Sequence, residues 1–370
     1  IGFAYRHIAA PVFYLWDSEP IHDFFLDLGE VMARLPGVPA LVALLCRARN
    51  PILRTRVAGI SFENPIGLAA GFDHEAQLPG MIHSIGFGFE SVGTITNGSY
   101  GGNEYPRIKR LVKSRAILVN KGLKSSGIRA VAARLSSHKI GWKVPIGVSI
   151  GQTNSPDINT HEDAVRDITD AFAHARDSKL PFSYFELNIS CPNLNRDIPF
   201  YTPETLEHIL IAVDALSLPK PLFIKMPIGL SDEKLVSLLH VCLRHKVAAV
   251  IFGNLQHDRT NPVFDKDEIA QYEGKRGNWS GLPCQKRSDE LVKLAYKTLG
   301  GKIAVVGCGG VFNAVDAYRK IRNGASLVQL AAATIFEGPQ VAGEICADLP
   351  RLLKRDGFKS VAEAVGVDAR

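Results

Sequence analysis

YFELNISCPNLN, residues 184–195, predicts a buried strand that runs directly into a tight polar turn. Pro192 restricts Cys191 to an extended conformation and removes one backbone donor from the turn. The thiol is therefore held on a stiff loop at the C-terminal end of a strand, between Asn188 and Asn193. Such a thiol could take a proton from a substrate that amide groups recognise. A free cysteine packed as a small hydrophobe explains this stretch equally well.

The same kind of short apolar run recurs along the chain and alternates with helical patterns. The candidate strands are Ile66–Ala70, Glu90–Ile95, Pro145–Ile150, Tyr184–Ile189, Leu222–Lys225, Ala248–Gly253, Ile303–Val306 and Leu327–Leu330. The candidate helices between them include Glu162–Ala175, Pro203–Ala215, Ser231–Arg244, Ser288–Leu299 and Ala314–Asn323. Alternation of this kind predicts an α/β fold with parallel strands, and eight units predict a closed (β/α)8 TIM barrel. An open doubly wound sheet is the alternative, although the first strand lacks the glycine fingerprint of dinucleotide-binding folds.

Composition excludes several classes of function. The 370 residues are 46% hydrophobic and 22% charged, which is typical of a globular protein with a large core. The net charge of +6 is too small to indicate nucleic-acid binding. The six cysteines show no zinc-ligand spacing, so we expect no metal site, no disulfide framework and a reducing compartment. The longest apolar run, Val38–Cys46, is too short to cross a bilayer.

The first 50 residues differ from the rest, so we predict an N-terminal helical extension over residues 1–50 and a barrel domain over residues 51–370. Asp17 or Ser18 is a suitable N-cap for a helix with one apolar face, and a second short apolar helix spans Pro39–Arg49. The two helices either dock on the barrel or form a membrane-facing lid. Because the chain begins with Ile1, we expect that a segment was removed upstream.

In a barrel of this kind, chemistry comes from residues at the C-terminal ends of the strands. Bare backbone at Gly309 and Gly310, after the seventh strand, predicts a phosphate cradle. Lys225 at the end of the fifth strand predicts a ligand atom with negative charge. Together with small residues after the first strand, this is a layout for FMN with a small polar substrate stacked on it. The strand ends also contribute Ser149, Gly253, Ala331 and Ala332 to the predicted cofactor contacts. The long polar segment Arg259–Trp279 is expected as a loop on the catalytic face.

Eight motifs, taken together, resemble the dihydroorotate dehydrogenases nearly from end to end. They are AAGFD (69–73), SVGTIT (91–96), NEYPRIKRL (103–111), NISCPN (188–193), FIKMP (223–227), the pair Ser280-Gly281, GCGGV (307–311) and GASLVQL (324–330). The two-helix extension is similar to that of the membrane-associated class 2 enzymes, which use a quinone. The cysteine at position 191 is similar to that of the soluble class 1 enzymes.

The resemblance implies oxidation of dihydroorotate to orotate with FMN and a quinone, in de novo pyrimidine biosynthesis. It implies Cys191 as the base and Lys225 as the residue that stabilises negative charge on the reduced flavin.

The implied FMN contacts are Ala69, Ala70, Gly71, Thr94, Asn188, Lys225, Ser280, Gly281, Gly309 and Gly310. The implied substrate contacts are Asn188, Asn193 and Asn254, to which we add His74, Asn120 and Lys124 at the altered family positions. His22 and Arg110 match positions that line the quinone tunnel. The implied location is peripheral, on the mitochondrial inner membrane or, in a prokaryote, the bacterial inner membrane.

The chain departs from class 2 at several of these positions. His74 stands where that class has a lysine, and Cys191 stands where it has a serine. One hypothesis is that Lys121 or Lys124 replaces the lost charge and binds the substrate carboxylate. Two alternatives stay open: an FMN oxidoreductase of this family with a changed substrate, and a catalytically degenerate structural subunit of a membrane complex.

Overall fold

Eight parallel strands close into a barrel in the computed structural model, which describes residues 1–137, 141–195 and 199–370. The strands are Ile66–Leu68, Phe89–Ile95, Ile146–Ile150, Tyr184–Asn188, Leu222–Met226, Val247–Phe252, Ala304–Cys308 and Leu327–Leu330. Each pairs with the next in chain order, and the eighth pairs with the first. The predicted TIM barrel and its eight strands are therefore confirmed, and their C-terminal ends meet at one mouth.

Helices surround the barrel and follow most strands. They are Ile128–Ser137, His161–Asp177, Pro203–Ala215, Asp232–Cys242, Gln285–Leu299, Ala314–Arg322, Ala332–Phe336 and Val341–Arg355. The five predicted helices are confirmed, with ends that differ by three residues at most. Local chemistry fixes several starts: Thr160 and Asp163 form a reciprocal capping box, and Ser231 accepts from the backbone N–H of Lys234. The first crossover, between residues 69 and 88, is made of turns instead of a helix.

The barrel interior combines aromatic packing with buried polar groups. The Tyr184 ring stacks on Phe223 with centroids 4.5 Å apart, and its hydroxyl bonds the Ser91 Oγ at 2.7 Å. Nearer the mouth, the Glu186 carboxylate accepts hydrogen bonds from Ser91 Oγ and Ser149 Oγ at 2.6 and 2.9 Å. A hairpin of Thr55–Val57 and Ile60–Phe62 precedes the first strand. The barrel interior therefore has an aromatic layer near the N-terminal ends of the strands and a polar layer nearer the mouth.

A three-stranded antiparallel sheet lies beside the mouth, and we did not expect it from the sequence. Its strands are Ile108–Leu111, Ala116–Val119 and Asn278–Gly281. The expectation that Arg259–Trp279 is a plain loop is therefore wrong. That segment contains the helix Lys266–Ala270, and it ends in the third strand. Trp279 is fully buried against Phe264 and Tyr272 of the same segment. Trp279 and Phe264 share a hydrophobic cluster with Leu111 and Leu118, which packs the segment against the other strands of the small sheet.

The N-terminal extension consists of helical turns over residues 2–13 followed by two helices, Ser18–Arg34 and Val38–Cys46. Glu19 of the first long helix accepts from Arg107 Nε at 3.0 Å, and Tyr5 Oη donates to the Ile335 carbonyl at 2.8 Å. Exposed apolar side chains remain on the far side of the extension, among them Phe3, Trp16, Phe24, Leu41, Leu44 and Leu45. No single helix within the described ranges has the length and apolar character to cross a membrane. Only the bent pair of long helices, at 115°, meets those criteria when taken together.

We expect Gly147→Ala to lower the unfolding temperature clearly. A Cβ at Gly147 would lie 2.0 Å from the Tyr184 ring in the packed barrel interior, and overpacking of this kind costs about 1–3 kcal/mol. Thermal unfolding followed by circular dichroism would measure the change. The matched control is Gly101→Ala, because a Cβ there meets nothing within 4 Å. Equal unfolding temperatures for the two variants would contradict the packing described here.

Candidate active site

A deep cavity opens at the mouth of the barrel, where the strand ends and the antiparallel sheet meet. Asn188 ends the fourth strand, Lys225 lies in the fifth, and Gly253 follows the sixth. Most residues predicted from the sequence line this cavity: His22, Ala69, Ala70, Gly71, His74, Thr94, Lys124, Asn188, Cys191, Asn193, Lys225, Gly253, Asn254, Ser280, Gly281, Gly309, Gly310, Ala331 and Ala332. The structure thus brings together groups from nearly every strand end, while their binding roles stay predictions.

Two predicted contact residues do not line the cavity. Ser149 is fully buried inside the barrel, where its hydroxyl bonds Glu186 and lies 3.0 Å from Thr94 Oγ1. Asn120 is buried as well, and its Oδ1 accepts from Asn103 Nδ2 at 3.1 Å. The prediction of direct contact is therefore corrected for both. Ser149 reaches the cavity only through Thr94, and the Asn120 carboxamide is turned into the surrounding loops.

Bare backbone forms one end of the cavity. Gly309 and Gly310 have φ angles of +98° and +68°, a region that favours glycine. A Cβ at Gly310 would lie 2.3 Å from the Gln285 Cβ, so a side chain there would require a backbone shift. Ala331 and Ala332, at the start of the helix after the eighth strand, add only methyl groups. This end of the cavity therefore admits close approach of a phosphate to main-chain groups.

Lys225 lies beneath the cavity, with 4% of the residue exposed. Its Nζ donates to the Ala70 carbonyl at 3.3 Å, and no carboxylate pairs with it among the described residues. A buried ammonium with one neutral acceptor has hydrogen-bonding capacity left for a ligand. It can therefore donate to an acceptor atom of a ligand that lies against Ala70.

Hydrogen bonds hold the turn with the thiol in one conformation. Asn188 Oδ1 accepts from the N–H and the hydroxyl of Ser190 at 3.0 and 2.7 Å, and Asn254 Nδ2 donates to the Ser190 carbonyl at 2.6 Å. Asn193 Nδ2 donates to the Val119 carbonyl at 3.0 Å. Burial raises the pKa of the Cys191 thiol to about 11, and the Asn193 N–H and Lys225 oppose the rise. The thiol is therefore protonated in the absence of a ligand.

The side of the cavity next to the N-terminal extension carries most of its charge. Burial, assisted by the charges of Lys121, His22 and Lys124, lowers the pKa of His74 to about 2. His74 is therefore neutral, and its buried Nδ1 has no partner among the described residues. Lys124 Nζ lies 3.7 Å from Glu19 and 3.9 Å from Asp23, both on the helix Ser18–Arg34. Lys121, which the sequence raised only as an alternative to Lys124, also lines the cavity.

A second cavity lies between the extension and the barrel, and its walls are mainly apolar. Arg110 lines it and donates to the carbonyls of Phe13 and Trp16 at 3.0 and 2.5 Å. His22 and Phe72 line both cavities, with ring centroids 4.9 Å apart. The apolar walls come mostly from Phe13, Ile21, Phe25, Leu28, Met32, Val42, Leu68, Leu78, Met81, Ile85, Phe87 and Ile335. The structure therefore places both predicted tunnel residues, His22 and Arg110, on this apolar cavity.

Comparison with known proteins gives one consistent family. The family model described as dihydroorotate dehydrogenase matches residues 52–353. The chain is similar to proteins named dihydroorotate dehydrogenase (quinone): it is 32% identical to that of Christiangramia forsetii, over 92% of this chain and 97% of the relative. It is 34% identical to that of Natronomonas pharaonis, over 97% of both. Among solved structures, it resembles DHODH of Eimeria tenella in complex with ferulenol, with a TM-score of 0.84, 28% identity and 96% coverage of both chains.

We expect alkylation of Cys191 by iodoacetamide to keep accelerating up to about pH 10, because only the thiolate reacts and burial raises its pKa to about 11. Peptide mass spectrometry would follow modification at this residue separately from the other cysteines. The same peptide in denaturant-unfolded protein is the control, and its rate should level off near the ordinary thiol pKa. A plateau at the same pH in the folded protein would contradict the assigned environment.

Proposed function

Because the chain belongs to the dihydroorotate dehydrogenase family, we propose that it oxidises dihydroorotate to orotate and passes the electrons to a quinone. The observation that carries the proposal is the convergence of the Cys191 thiol and the carboxamides of Asn188, Asn193 and Asn254 on one cavity. The backbone of Gly309 and Gly310, which suits a phosphate, lines the same cavity. Relatives whose names include the quinone cover most of this chain, which supports the choice of electron acceptor.

The proposed cofactor is FMN, and the residues present fit it. Gly309, Gly310, Ala331 and Ala332 offer main-chain groups to its phosphate, and Lys225 offers an ammonium to its ring. When bound, FMN supplies an acceptor for a hydride equivalent from the substrate and a donor of electrons to the quinone. The further predicted contacts are Ala69, Ala70, Gly71, Thr94, Asn188, Gly253, Ser280 and Gly281.

The proposed base is the Cys191 thiolate. Oxidation of dihydroorotate removes a proton from C5 and a hydride from C6, which leaves the C5=C6 double bond of orotate. Cys191 would take the C5 proton. Because burial raises the pKa of this thiol to about 11, only a small fraction is ionised at neutral pH, and Lys225 and the Asn193 N–H favour that fraction. The reaction should therefore speed up as pH rises.

Substrate recognition in this proposal rests on amide groups that the fold already orients. The Asn193 carboxamide donates to Val119 and accepts from Asn278 Nδ2 at 2.7 Å, which leaves one N–H and one lone pair for the ligand. Asn254 Nδ2 instead donates to both the carbonyl and the hydroxyl of Ser190, at 2.6 and 2.7 Å, which leaves its Oδ1 as an acceptor for the ligand. Carboxamides present a donor and an acceptor side by side, which is the pattern that the imide edge of a pyrimidine requires.

The second, apolar cavity is the proposed quinone site. It suits an isoprenoid quinone because its walls are apolar, while His22 and Arg110 offer polar contacts. Exposed apolar side chains on the extension, including Leu41, Leu44 and Leu45, support peripheral contact with the membrane that holds the quinone. A changed substrate is the second candidate function. It is favoured by a neutral His74 in place of the family's lysine.

The deciding experiment is anaerobic mixing of the purified, FMN-loaded protein with dihydroorotate. We expect the flavin absorbance to bleach, and the rate at saturating substrate should rise about tenfold per pH unit between about pH 7 and pH 9, as the thiolate fraction does. Cys191→Ala should slow the step by roughly 10²–10⁴-fold, the usual contribution of a general base. Cys242→Ala, a buried thiol in an outer helix, is the control. A protein that is reduced by other donors but never by dihydroorotate would favour the changed substrate.

Leu28→Trp should weaken quinone use without slowing reduction by dihydroorotate. Leu28 lines the apolar cavity, so a larger ring there competes with the quinone. We expect the KM for a quinone analogue to rise about tenfold, the effect of about 1.4 kcal/mol. Ile211→Trp is the control, because Ile211 is 56% exposed on the helix Pro203–Ala215 and lies outside the cavity wall. Equal KM values for the two variants would contradict the assignment of the quinone site to this cavity.

A further inference from the structure

Lys121 is a buried cation that lines the cavity at the barrel mouth and is not used by the mechanism above. It lies in the loop after the strand Ala116–Val119, and only 8% of the residue is exposed. Its Nζ has no hydrogen-bond partner among residues 1–137, 141–195 and 199–370. A buried ammonium without a partner is costly, so a group that pairs with it is expected in the working protein.

The acidic residues nearest to Lys121 each lie close to another base, although Glu19 Oε1 has no hydrogen-bond partner among the described residues. Glu19 accepts from Arg107 Nε at 3.0 Å, and its other oxygen lies 3.7 Å from Lys124 Nζ. Asp23 lies 3.2 Å from His22 Nδ1 and 3.9 Å from Lys124 Nζ. These acids favour the charged form of Lys121 through space, but neither is within hydrogen-bonding distance of it.

The titratable groups that face Lys121 come from three parts of the chain. The helix Ser18–Arg34 contributes Glu19, His22 and Asp23, the first crossover contributes His74, and the loops beside the small sheet contribute Arg107 and Lys124. Burial is the main reason that the pKa of Lys121 falls to about 8. Near neutral pH it is therefore mostly charged, whereas His74 is neutral.

We propose that Lys121 is the specificity-determining residue that binds the carboxylate of the substrate. The inference rests on the proposed function, and it chooses between the two lysines that the sequence left open. Lys124 is partly exposed and lies 3.7 and 3.9 Å from carboxylate oxygens of Glu19 and Asp23. Lys121 is buried on the cavity wall, and its Nζ has no hydrogen-bond partner in the part of the chain that the structure describes. Lys121 therefore selects ligands whose ring carries an exocyclic carboxylate, because the carboxylate pairs with the ammonium. A neutral ring without the carboxylate would leave the ammonium without a partner.

The test is equilibrium binding of orotate and of uracil, its analogue without the carboxylate, to the flavin-loaded protein. In Lys121→Met we expect the Kd for orotate to rise roughly 10- to 100-fold, as for loss of a hydrogen bond to a charged group. The Kd for uracil should stay within about twofold, which also shows that the cavity is still folded. Lys121→Arg should recover part of the orotate affinity. Lys113→Met, an exposed lysine beside Asp265, is the control.

A pH series separates this role from a structural one. Orotate affinity of the wild type should fall above about pH 8, where free Lys121 loses its proton, and Lys121→Met should show no such decline. Unchanged orotate affinity in Lys121→Met, or a loss found only in Lys124→Met, overturns the assignment while leaving the proposed function standing. A wild type that neither binds orotate nor is reduced by dihydroorotate overturns both.

Discussion

A continuous chain of hydrogen bonds ties the barrel interior to the reactive turn. The buried Glu186 carboxylate accepts from Ser149, Ser149 lies 3.0 Å from Thr94, and Thr94 accepts from Asn188 Nδ2 at 2.6 Å. Asn188 in turn holds Ser190, the residue before the thiol, with its other carboxamide atom. Because a buried carboxylate is costly without its donors, each member of this chain has one favourable arrangement. These hydrogen bonds from the barrel interior therefore fix the position of the Cys191 thiol.

The regular part of the fold could be predicted because each barrel strand is a local apolar pattern and each neighbour is the next strand in the chain. The small antiparallel sheet could not. Its pairing joins Ala116–Val119 to Asn278–Gly281, which lie far apart in sequence and carry no turn signal. The directions in which individual side chains point could not be predicted from the sequence either. Ser149 and Asn120 belong to the right segments, but the pleat buries one inside the barrel and a hydrogen bond to Asn103 turns the other away from the cavity.

The distribution of charge in the cavity could not be predicted from the sequence either. The sequence offers Lys121 and Lys124 as candidates to replace the charge that is lost at His74. Which of the two lysines can pair with a ligand depends on what packs against each, and Glu19 and Asp23 on the N-terminal helix are the acidic neighbours of Lys124. Their contacts with Lys124 and the desolvation of His74 are consequences of docking that helix on the barrel. The sequence around these residues does not predict that the helix docks there.

The docked helix Ser18–Arg34 therefore belongs to both cavities. One of its faces places Glu19 and Asp23 beside the lysines of the substrate side, and their charges favour the protonated form of Lys121. Its other contacts, through Ile21, Phe25 and Leu28, form a wall of the apolar cavity, and His22 lines both. The same helix therefore shapes the apolar cavity and sets the negative charge around Lys121. The proposed sites for the quinone and for the substrate carboxylate thus share one structural element, although they occupy separate cavities.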